Sequence, residues 1–113
     1  MAFRSKFSEQ AAKDVSDIIT YIRKTLSNPQ AAERFYQAVE KRRGKIQKHP
    51  YIYPLSRDER LRAEGYRTAV IGNYLMFYLV DDDNEIVYIS RVIYGKQNLA
   101  EIIMDEGSTP AFS

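Results

Sequence analysis

The feature of this chain that most constrains its fold is the dipeptide Gly72-Asn73, which separates two apolar runs. Glycine followed by asparagine is typical of a two-residue turn, because both residues tolerate positive φ angles. The sequence therefore predicts that 66–71 and 74–80 form an antiparallel hairpin. The pairing of these two strands decides which side chains share a face of the sheet.

The hairpin register divides the side chains between two faces. A two-residue turn places Ile71 opposite Tyr74, and residues directly opposite each other project to the same side. The more aliphatic face is predicted to pack on helices. Its members in the hairpin are Tyr66, Thr68, Val70, Leu75, Phe77 and Leu79. Its members in the next predicted strand, 86–94, are Val87, Ile89 and Ile93.

The opposite face is predicted to be open, and it combines phenol rings with one guanidinium group. Its members with this chemistry are Arg67, Tyr74, Tyr78, Tyr88 and Tyr94. Aromatic rings beside a cation suit stacking on nucleobases and contact with a phosphate. Tyrosine is also a good strand former that tolerates half-burial, so coverage by a short C-terminal helix is the alternative.

Two amphipathic helices are predicted before the hairpin. Ser8 is a good N-cap, and apolar residues recur after it at spacings of three and four. Asn28 and Pro29 start the second helix, which ends at His49 because Pro50 disfavours helical geometry in the residue before it. The short connection between the helices predicts an antiparallel helix hairpin.

The order of elements is β-α-α-β-β-β-α, which predicts an α+β fold. A helix hairpin packs on a small, mainly antiparallel four-stranded sheet. The first strand is placed at 3–7 and the last helix at 98–105, and 51–64 is interpreted as an ordered loop. Residues 1–106 are predicted to form a single domain, with 107–113 as a flexible tail.

Composition excludes several classes of protein. The chain has no cysteine, which excludes thiolate zinc sites, disulfide frameworks and cysteine nucleophiles. It has one histidine, so neither a metal site nor a cofactor is expected. The longest apolar run, Tyr74 to Val80, is far shorter than the roughly 20 residues that a membrane helix needs. With no apolar stretch of signal-peptide length at the start, we expect a small soluble intracellular protein.

Charge is unevenly distributed along the chain. The net charge of +2 combines a middle section, 34–67, with six excess positive charges and a final section, 68–113, with five excess negative charges. The basic end of the second helix holds Arg42, Arg43, Lys45 and Lys48. This cluster suits RNA, DNA or an acidic protein surface. The alternative is a solvated helix end, where cations interact favourably with the helix dipole.

Two further titratable residues have structural interpretations. Arg91 is predicted to lie on the helix side of the sheet, where Asp14 or Asp17 of the first helix would neutralise it. His49 borders a helix end and Pro50, which favours a capping or solvated histidine over a general base.

Four segments carry a resemblance to a known family. In chain order they read SEQAAKDVSDIITYI, NPQAAERF, GYRTAVIGNYLMFYLVD and IVYISRVIYGKQN. Together they resemble the RelE/ParE toxin superfamily of type II toxin–antitoxin systems, over about residues 3–104. The resemblance implies a bacterial, cytoplasmic toxin that inhibits growth and is silenced by an antitoxin encoded beside it.

The superfamily contains two activities, and the resemblance implies a different site for each. RelE-like members cut mRNA on the ribosome, and the residues that match such a site are Arg67, Tyr94 and Lys96. RNA cleavage by a 2′-hydroxyl needs a base, cations and an acid. However, 68–80 contains no lysine or arginine, and Gln97 stands where the RelE pattern carries an arginine. ParE-like members poison DNA gyrase and need no nuclease centre.

The sequence favours a toxin that acts by ribosome-dependent mRNA cleavage slightly over a ParE-like gyrase inhibitor. The implied partners are an antitoxin together with the ribosome and mRNA, or DNA gyrase in the alternative. A third interpretation is a non-toxic domain that only engages an antitoxin. The antitoxin is expected to bury the groove beside the helix hairpin or the tyrosine face, through an extended or helical segment.

Overall fold

The computed structural model describes residues 2–95. The strands are β1 (Arg4–Phe7), β2 (Arg67–Ile71), β3 (Tyr74–Asp81) and β4 (Ile86–Tyr94). The helices are α1 (Glu9–Thr20), which continues into a π-helical turn (Tyr21–Thr25), α2 (Pro29–Lys48) and α3 (Glu59–Ala63). The predicted α+β fold is confirmed. The predicted last helix and tail lie outside the described residues.

The four strands form one mixed sheet with the spatial order β1-β4-β3-β2. β2, β3 and β4 are antiparallel neighbours, whereas β1 runs parallel to β4. β1, which precedes the helix hairpin in the chain, lies at one edge of the sheet. β2, which follows the hairpin and α3, lies at the other edge. In the described part of the chain, no helix has the length and apolar character needed to cross a membrane.

The predicted caps position both long helices. The Ser8 hydroxyl accepts the Ala11 N–H at 2.9 Å and donates to the Ser90 carbonyl of β4 at 2.8 Å, so one side chain starts α1 and fixes it to the sheet. Asn28 accepts the Ala31 N–H at 3.0 Å, with Pro29 in the first turn of α2.

The segment interpreted as a plain loop, 51–64, contains the helix α3, and that prediction is corrected. The Asp58 carboxylate accepts the N–H groups of Arg60 and Leu61 at 2.9 and 3.2 Å, which starts the helix. Leu61 is fully buried and clusters with Phe77 and Ile93, so α3 covers part of the face that was expected to pack on the helix hairpin.

The predicted hairpin register is confirmed in every pair, from Ile71 opposite Tyr74 to Arg67 opposite Tyr78. Gly72 adopts a φ angle of 58°, a conformation that glycine reaches without strain. The turn therefore sets the register as the sequence indicates.

The assignment of the two faces to helices and solvent is wrong. The face that packs on α1 and α2 is the one that holds Ala69, Ile71, Met76 and Tyr78. The opposite face forms a second cluster, whose buried members are Leu61, Tyr66, Phe77 and Ile93. Both faces of the sheet are therefore partly covered, one by α1 and α2 and the aliphatic one by α3. A buried tyrosine is tolerated on the helix side because its hydroxyl finds a backbone partner there.

A β-bulge in β4 explains a second difference between the expected and observed faces. Phe77 pairs with Arg91 and Tyr78 pairs with Ile89, so Ser90 is an extra residue on β4. Residues after the bulge change sides relative to those before it. Ile89 therefore packs under the helices, whereas Ile93 joins the opposite cluster.

The predicted partner of Arg91 is confirmed as Asp14. Its Nε and Nη2 atoms donate to the two carboxylate oxygens of Asp14 at 2.7 and 3.0 Å. The same carboxylate accepts the Val92 N–H at 3.0 Å. Both charged side chains are about nine-tenths buried, so the pair links α1 to β4 in a setting with little water.

We expect Asp14→Asn to lower the free energy of unfolding by about 3 kcal/mol, because it leaves the Arg91 charge buried without its anion. Asp17→Asn, on the same helix, is the matched control, since Asp17 is 62% exposed and its pair with Lys13 lies on the surface. Urea unfolding monitored by circular dichroism measures both. Equal effects of the two substitutions would contradict the role given to Asp14.

Candidate functional site

Arg67, the first catalytic candidate, holds a loop in place. Its guanidinium donates to the Tyr53 carbonyl at 2.7 Å and lies 4.7 Å from the centre of the Tyr51 ring. The Tyr51 hydroxyl in turn donates to the Asp82 carboxylate. These contacts tie the segment after α2 to the end of the sheet where β3 meets the acidic turn. The cation is therefore half-buried in a structural network.

Tyr78 belongs to the same network and is fully buried under the helix hairpin. Its hydroxyl donates to the Pro50 carbonyl at 2.8 Å. Burial raises the pKa of the Tyr78 phenol to about 12, although the nearby Arg67 charge acts in the opposite direction. A buried phenol with this pKa and a backbone partner does not present its hydroxyl to a ligand.

Tyr94, the second catalytic candidate, lies in an aromatic cluster at the other end of the sheet. Its ring centre is 5.9 Å from that of Tyr74, which is 5.2 Å from Phe35 of α2. Burial raises the pKa of Tyr74, and the neighbouring phenols of Tyr21 and Tyr94 raise it further. Tyr94 is 39% exposed, more than the other candidate tyrosines of the sheet.

The structure does not bring Arg67 and Tyr94 together. Arg67 pairs with Tyr78 and Tyr94 pairs with Tyr74, and β2 and β4 lie on opposite sides of β3. The two pairs are four residues apart on β3, which is roughly 13 Å at about 3.3 Å per residue. Lys96, the third candidate, lies outside the described residues.

At the basic end of α2, some cations contact other residues and others are exposed to solvent. Arg42 donates from Nε to the Val70 carbonyl at 3.2 Å, and Arg43 pairs with Glu40 at 2.9 Å. The ammonium group of Lys45 lies 5.7 Å from the centre of the Tyr53 ring. Lys48 is exposed in the last helical turn.

The remaining aromatic candidate, Tyr88, is the one that faces away from the helix hairpin. It pairs with Leu79 in β3, is half-buried and lies beside the acidic turn. The other tyrosines predicted for an open face therefore lie on the helix side. Among residues 2–95, no group of histidine, aspartate and glutamate side chains could hold a metal ion.

A pocket that the sequence did not indicate lies on the face away from the helix hairpin. It encloses about 650 Å³ between the sheet and the segment that leads into α3. Its apolar walls are Leu61, Val70, Leu75 and Phe77, and Arg42 and Arg57 lie at its rim. The Asp58 cap followed by an apolar residue was the available signal for α3, and hence for this pocket.

Comparison with known proteins finds a family match over most of the chain. The family described as "ParE toxin of type II toxin-antitoxin system, parDE" matches residues 6–99. A comparison with curated protein sequences finds no match.

Three solved structures share the fold. The RelBE2 toxin–antitoxin complex from Mycobacterium tuberculosis has a TM-score of 0.60 at 23% identity, covering 83% of this chain and 99% of that one. A chromosomal ParDE system from P. aeruginosa has a TM-score of 0.65 at 18% identity, covering 82% and 96%. A mutant of the E. coli toxin RelE in the free state has a TM-score of 0.62 at 16% identity, covering 94% and 97%.

The buried phenol of Tyr78 makes stability depend on alkaline pH. Because its pKa is higher in the folded chain than in the unfolded chain, its contribution is complete below about pH 10 and is lost as pH rises towards 12. We expect Tyr78→Phe to flatten the decline of unfolding free energy over this range. Tyr36→Phe, at an exposed position on α2, should leave the decline unchanged. Urea unfolding at a series of alkaline pH values tests this, and identical slopes in the two variants would contradict it.

Proposed function

The chain belongs to the ParE toxin family of type II toxin–antitoxin systems, and from this membership we propose that it arrests growth by binding DNA gyrase, without cleaving RNA. The observation that carries the proposal is the use of Arg67 and Arg91 as structural cations. Arg67 holds the Tyr53 carbonyl and the Tyr51 ring, and Arg91 is neutralised by Asp14. A binding surface can act while both arginines keep these contacts, whereas RNA cleavage needs cations that are able to contact the phosphate.

The chemistry of RNA cleavage explains why this arrangement matters. A base, an acid and cations must all reach one phosphate, each at hydrogen-bond distance in the transition state. Arg67 and Tyr94 lie at opposite ends of the sheet, and 68–80 supplies no lysine or arginine to the rest of β2 or to β3. The described residues therefore favour a toxin that acts through a binding surface.

The exposed cations of α2 suit such a surface. Lys45 and Lys48 face solvent in the last helical turn, within the section that carries six excess positive charges. We place the target contact here, because exposed lysines attract an acidic protein surface and steer its approach.

A second candidate, mRNA cleavage on the ribosome, has one observation in its favour. Tyr94 is partly exposed at the end of β4, and Lys96 follows it in the sequence. A phenol and an ammonium group could supply an acid and a cation for RNA cleavage. β3 carries no lysine or arginine that could act together with this pair, so we rank RNA cleavage second.

Inducible expression in bacteria without an antitoxin tests the proposal directly. We expect growth arrest, a loss of plasmid supercoiling, and no new cuts when translated mRNA is mapped by primer extension. New cuts within translated codons, with supercoiling intact, would support the second candidate instead. Unchanged growth would support a domain that only engages an antitoxin, and would contradict both.

We expect Tyr94→Phe to arrest growth as strongly as the parent chain, because a binding surface does not need the phenolic proton. If Tyr94 were a general acid, its loss would slow cleavage by about 10²–10⁴-fold. Tyr36→Phe is the control for loss of an exposed hydroxyl elsewhere. Growth curves at matched expression measure the difference, and loss of toxicity in Tyr94→Phe alone would contradict the binding mechanism.

A further inference from the structure

The pocket on the face away from the helix hairpin has the size and walls of a small-molecule site. It encloses about 650 Å³, and ligand pockets in proteins usually measure roughly 300–1,000 Å³. Leu61 of α3 forms one wall, and Leu75 and Phe77 of β3 form the wall on the sheet. Apolar walls of this extent favour a ligand with an apolar body, because its surface is removed from water there.

Two hydroxyl groups that line this pocket have protons without an acceptor. The Thr68 hydroxyl is buried and makes no hydrogen bond within residues 2–95. Ser56 is 5% exposed, and its hydroxyl oxygen accepts the Asp58 N–H at 3.2 Å. In the same part of the chain, the Ser56 hydroxyl donates to no acceptor. Burying a hydroxyl without a partner is unfavourable, so two such groups in one pocket indicate a ligand that accepts hydrogen bonds.

Two guanidinium groups at the rim of the pocket are also available. Arg57 is exposed, and its guanidinium makes no hydrogen bond or ion pair with another described residue. Arg42 donates from Nε to a carbonyl of β2, which leaves its two Nη atoms available. Among the described lining residues Asp58 is the one acid, and its carboxylate already accepts two N–H groups of α3. The excess of one positive charge favours a monoanion, and arginine binds a carboxylate through parallel N–H bonds.

The donors of the pocket lie together along the outer side of β2. Thr68 belongs to this strand, and Ser56 lies beside it because the Ser56 N–H donates to the Tyr66 carbonyl at 2.8 Å. Arg42 reaches the same edge through its bond of 3.2 Å to a carbonyl of the strand. The apolar wall of β3 lies one strand further into the sheet. The polar and apolar parts of the pocket are therefore separated, which suits a ligand with one polar end.

We propose that this pocket binds a medium-chain aliphatic carboxylic acid. The carboxylate accepts hydrogen bonds from Arg57, from the Nη atoms of Arg42, and from Thr68, whose hydroxyl turns into the pocket by rotation about its Cα–Cβ bond. Ser56 supplies a further donor on the same side. The hydrocarbon chain lies against Leu61 and the wall of β3. This ligand site is separate from the proposed binding of gyrase, and the inference does not rest on that mechanism.

A polypeptide segment is the alternative occupant, and the pocket suits it less well. An extended segment brings an N–H and a C=O at every residue, and walls made of Leu61, Leu75 and Phe77 cannot pair with them. A helix pairs its own backbone groups, but it is about 10 Å across with its side chains and would lie over the mouth of the pocket. A carboxylic acid places its one polar group among the donors and leaves no polar atom against the apolar wall.

Titration of the isotopically labelled full-length chain with octanoate tests the site by NMR. We expect shift changes that saturate and are concentrated at Thr68, Val70 and Leu75. 1-Octanol carries the chain without the charge, and acetate carries the charge without the chain, so each should bind at least about tenfold more weakly. Equal affinity for octanoate and 1-octanol would overturn the proposal. So would the absence of shifts at these residues, which would show that 96–113 or a second copy covers the pocket.

A pair of substitutions tests the role of the charge. Arg57→Gln should weaken octanoate binding by about tenfold, the effect of losing a charged hydrogen bond, and should leave 1-octanol binding unchanged. Arg34→Gln removes the same charge from an exposed position on α2 that does not line the pocket, and should bind octanoate as the parent chain does. Equal losses in the two variants would indicate general electrostatic attraction and overturn the site.

Thr68→Val distinguishes a ligand donor from a structural hydroxyl, because the two roles predict opposite changes in stability. Valine keeps the shape of threonine and removes the unpaired hydroxyl, so the urea midpoint of the free chain should rise while octanoate binds about fivefold more weakly. A lower midpoint would show that the hydroxyl already has a partner in the full-length chain, and unchanged affinity would show that it does not contact the ligand. Either result would overturn the proposal. None of these readouts uses growth or toxicity, so a failure here is distinct from a failure of the gyrase mechanism.

Discussion

The attachment of α1 to β4 is the constraint on which the rest of the structure depends. Three consecutive residues of β4 take part: the Ser90 carbonyl accepts from Ser8, Arg91 binds Asp14, and the Val92 N–H donates to the same carboxylate. All three contacts gather at the bulge, where the strand has an extra residue. A bulge leaves ladder groups unpaired, and here the first helix satisfies them. This fixes the helix hairpin over one face and determines which face remains for partners.

That placement has a consequence for the chemistry the fold can support. The tyrosines and the arginine of the helix side lie under or beside α2, so they are used to bury surface and hold the 50–55 segment. A network that satisfies its own donors and acceptors gains stability, yet it withdraws those groups from catalysis. The accessible chemistry lies at the rim: Tyr94 and the Val70 edge of β2 are near one end of the sheet, and the basic end of α2 lies towards the other.

Local signals in the sequence predicted local structure well. The Ser8 and Asn28 caps, the turn at Gly72 and the partnership of Arg91 with Asp14 each depend on one or two neighbouring residues or on one charge that must be neutralised. The choice of face could not be predicted in this way, because the two faces of the hairpin are similarly apolar. What decides between them is long-range: the bulge at Ser90, the Pro50 carbonyl that accepts from Tyr78, and the cover that Leu61 provides.

Prediction of the candidate site was limited by the same long-range contacts. The resemblance places Arg67 and Tyr94 in one site, but residues on one face of a sheet are close only if their pairs are adjacent along the strands. The positions of Arg67 and Tyr94 along the strands could be predicted from the hairpin register. The contacts of Arg67 with Tyr53 and of Tyr94 with Tyr74 could not be predicted. The pocket depends on α3 and on the segment before it, because 53–58 and Leu61 supply its second wall, and the Asp58 cap was the one local signal for that part of the chain.

The edge of β2 shows how this fold protects an exposed strand. The chain covers the edge as far as Thr68, and Arg42 protects the Val70 carbonyl beyond it. A permanent cover would remove the risk of unwanted strand pairing, whereas a single side chain on a flexible stem protects the edge and can be displaced. The same guanidinium also lines the apolar pocket, so one side chain contributes to both the edge and the pocket.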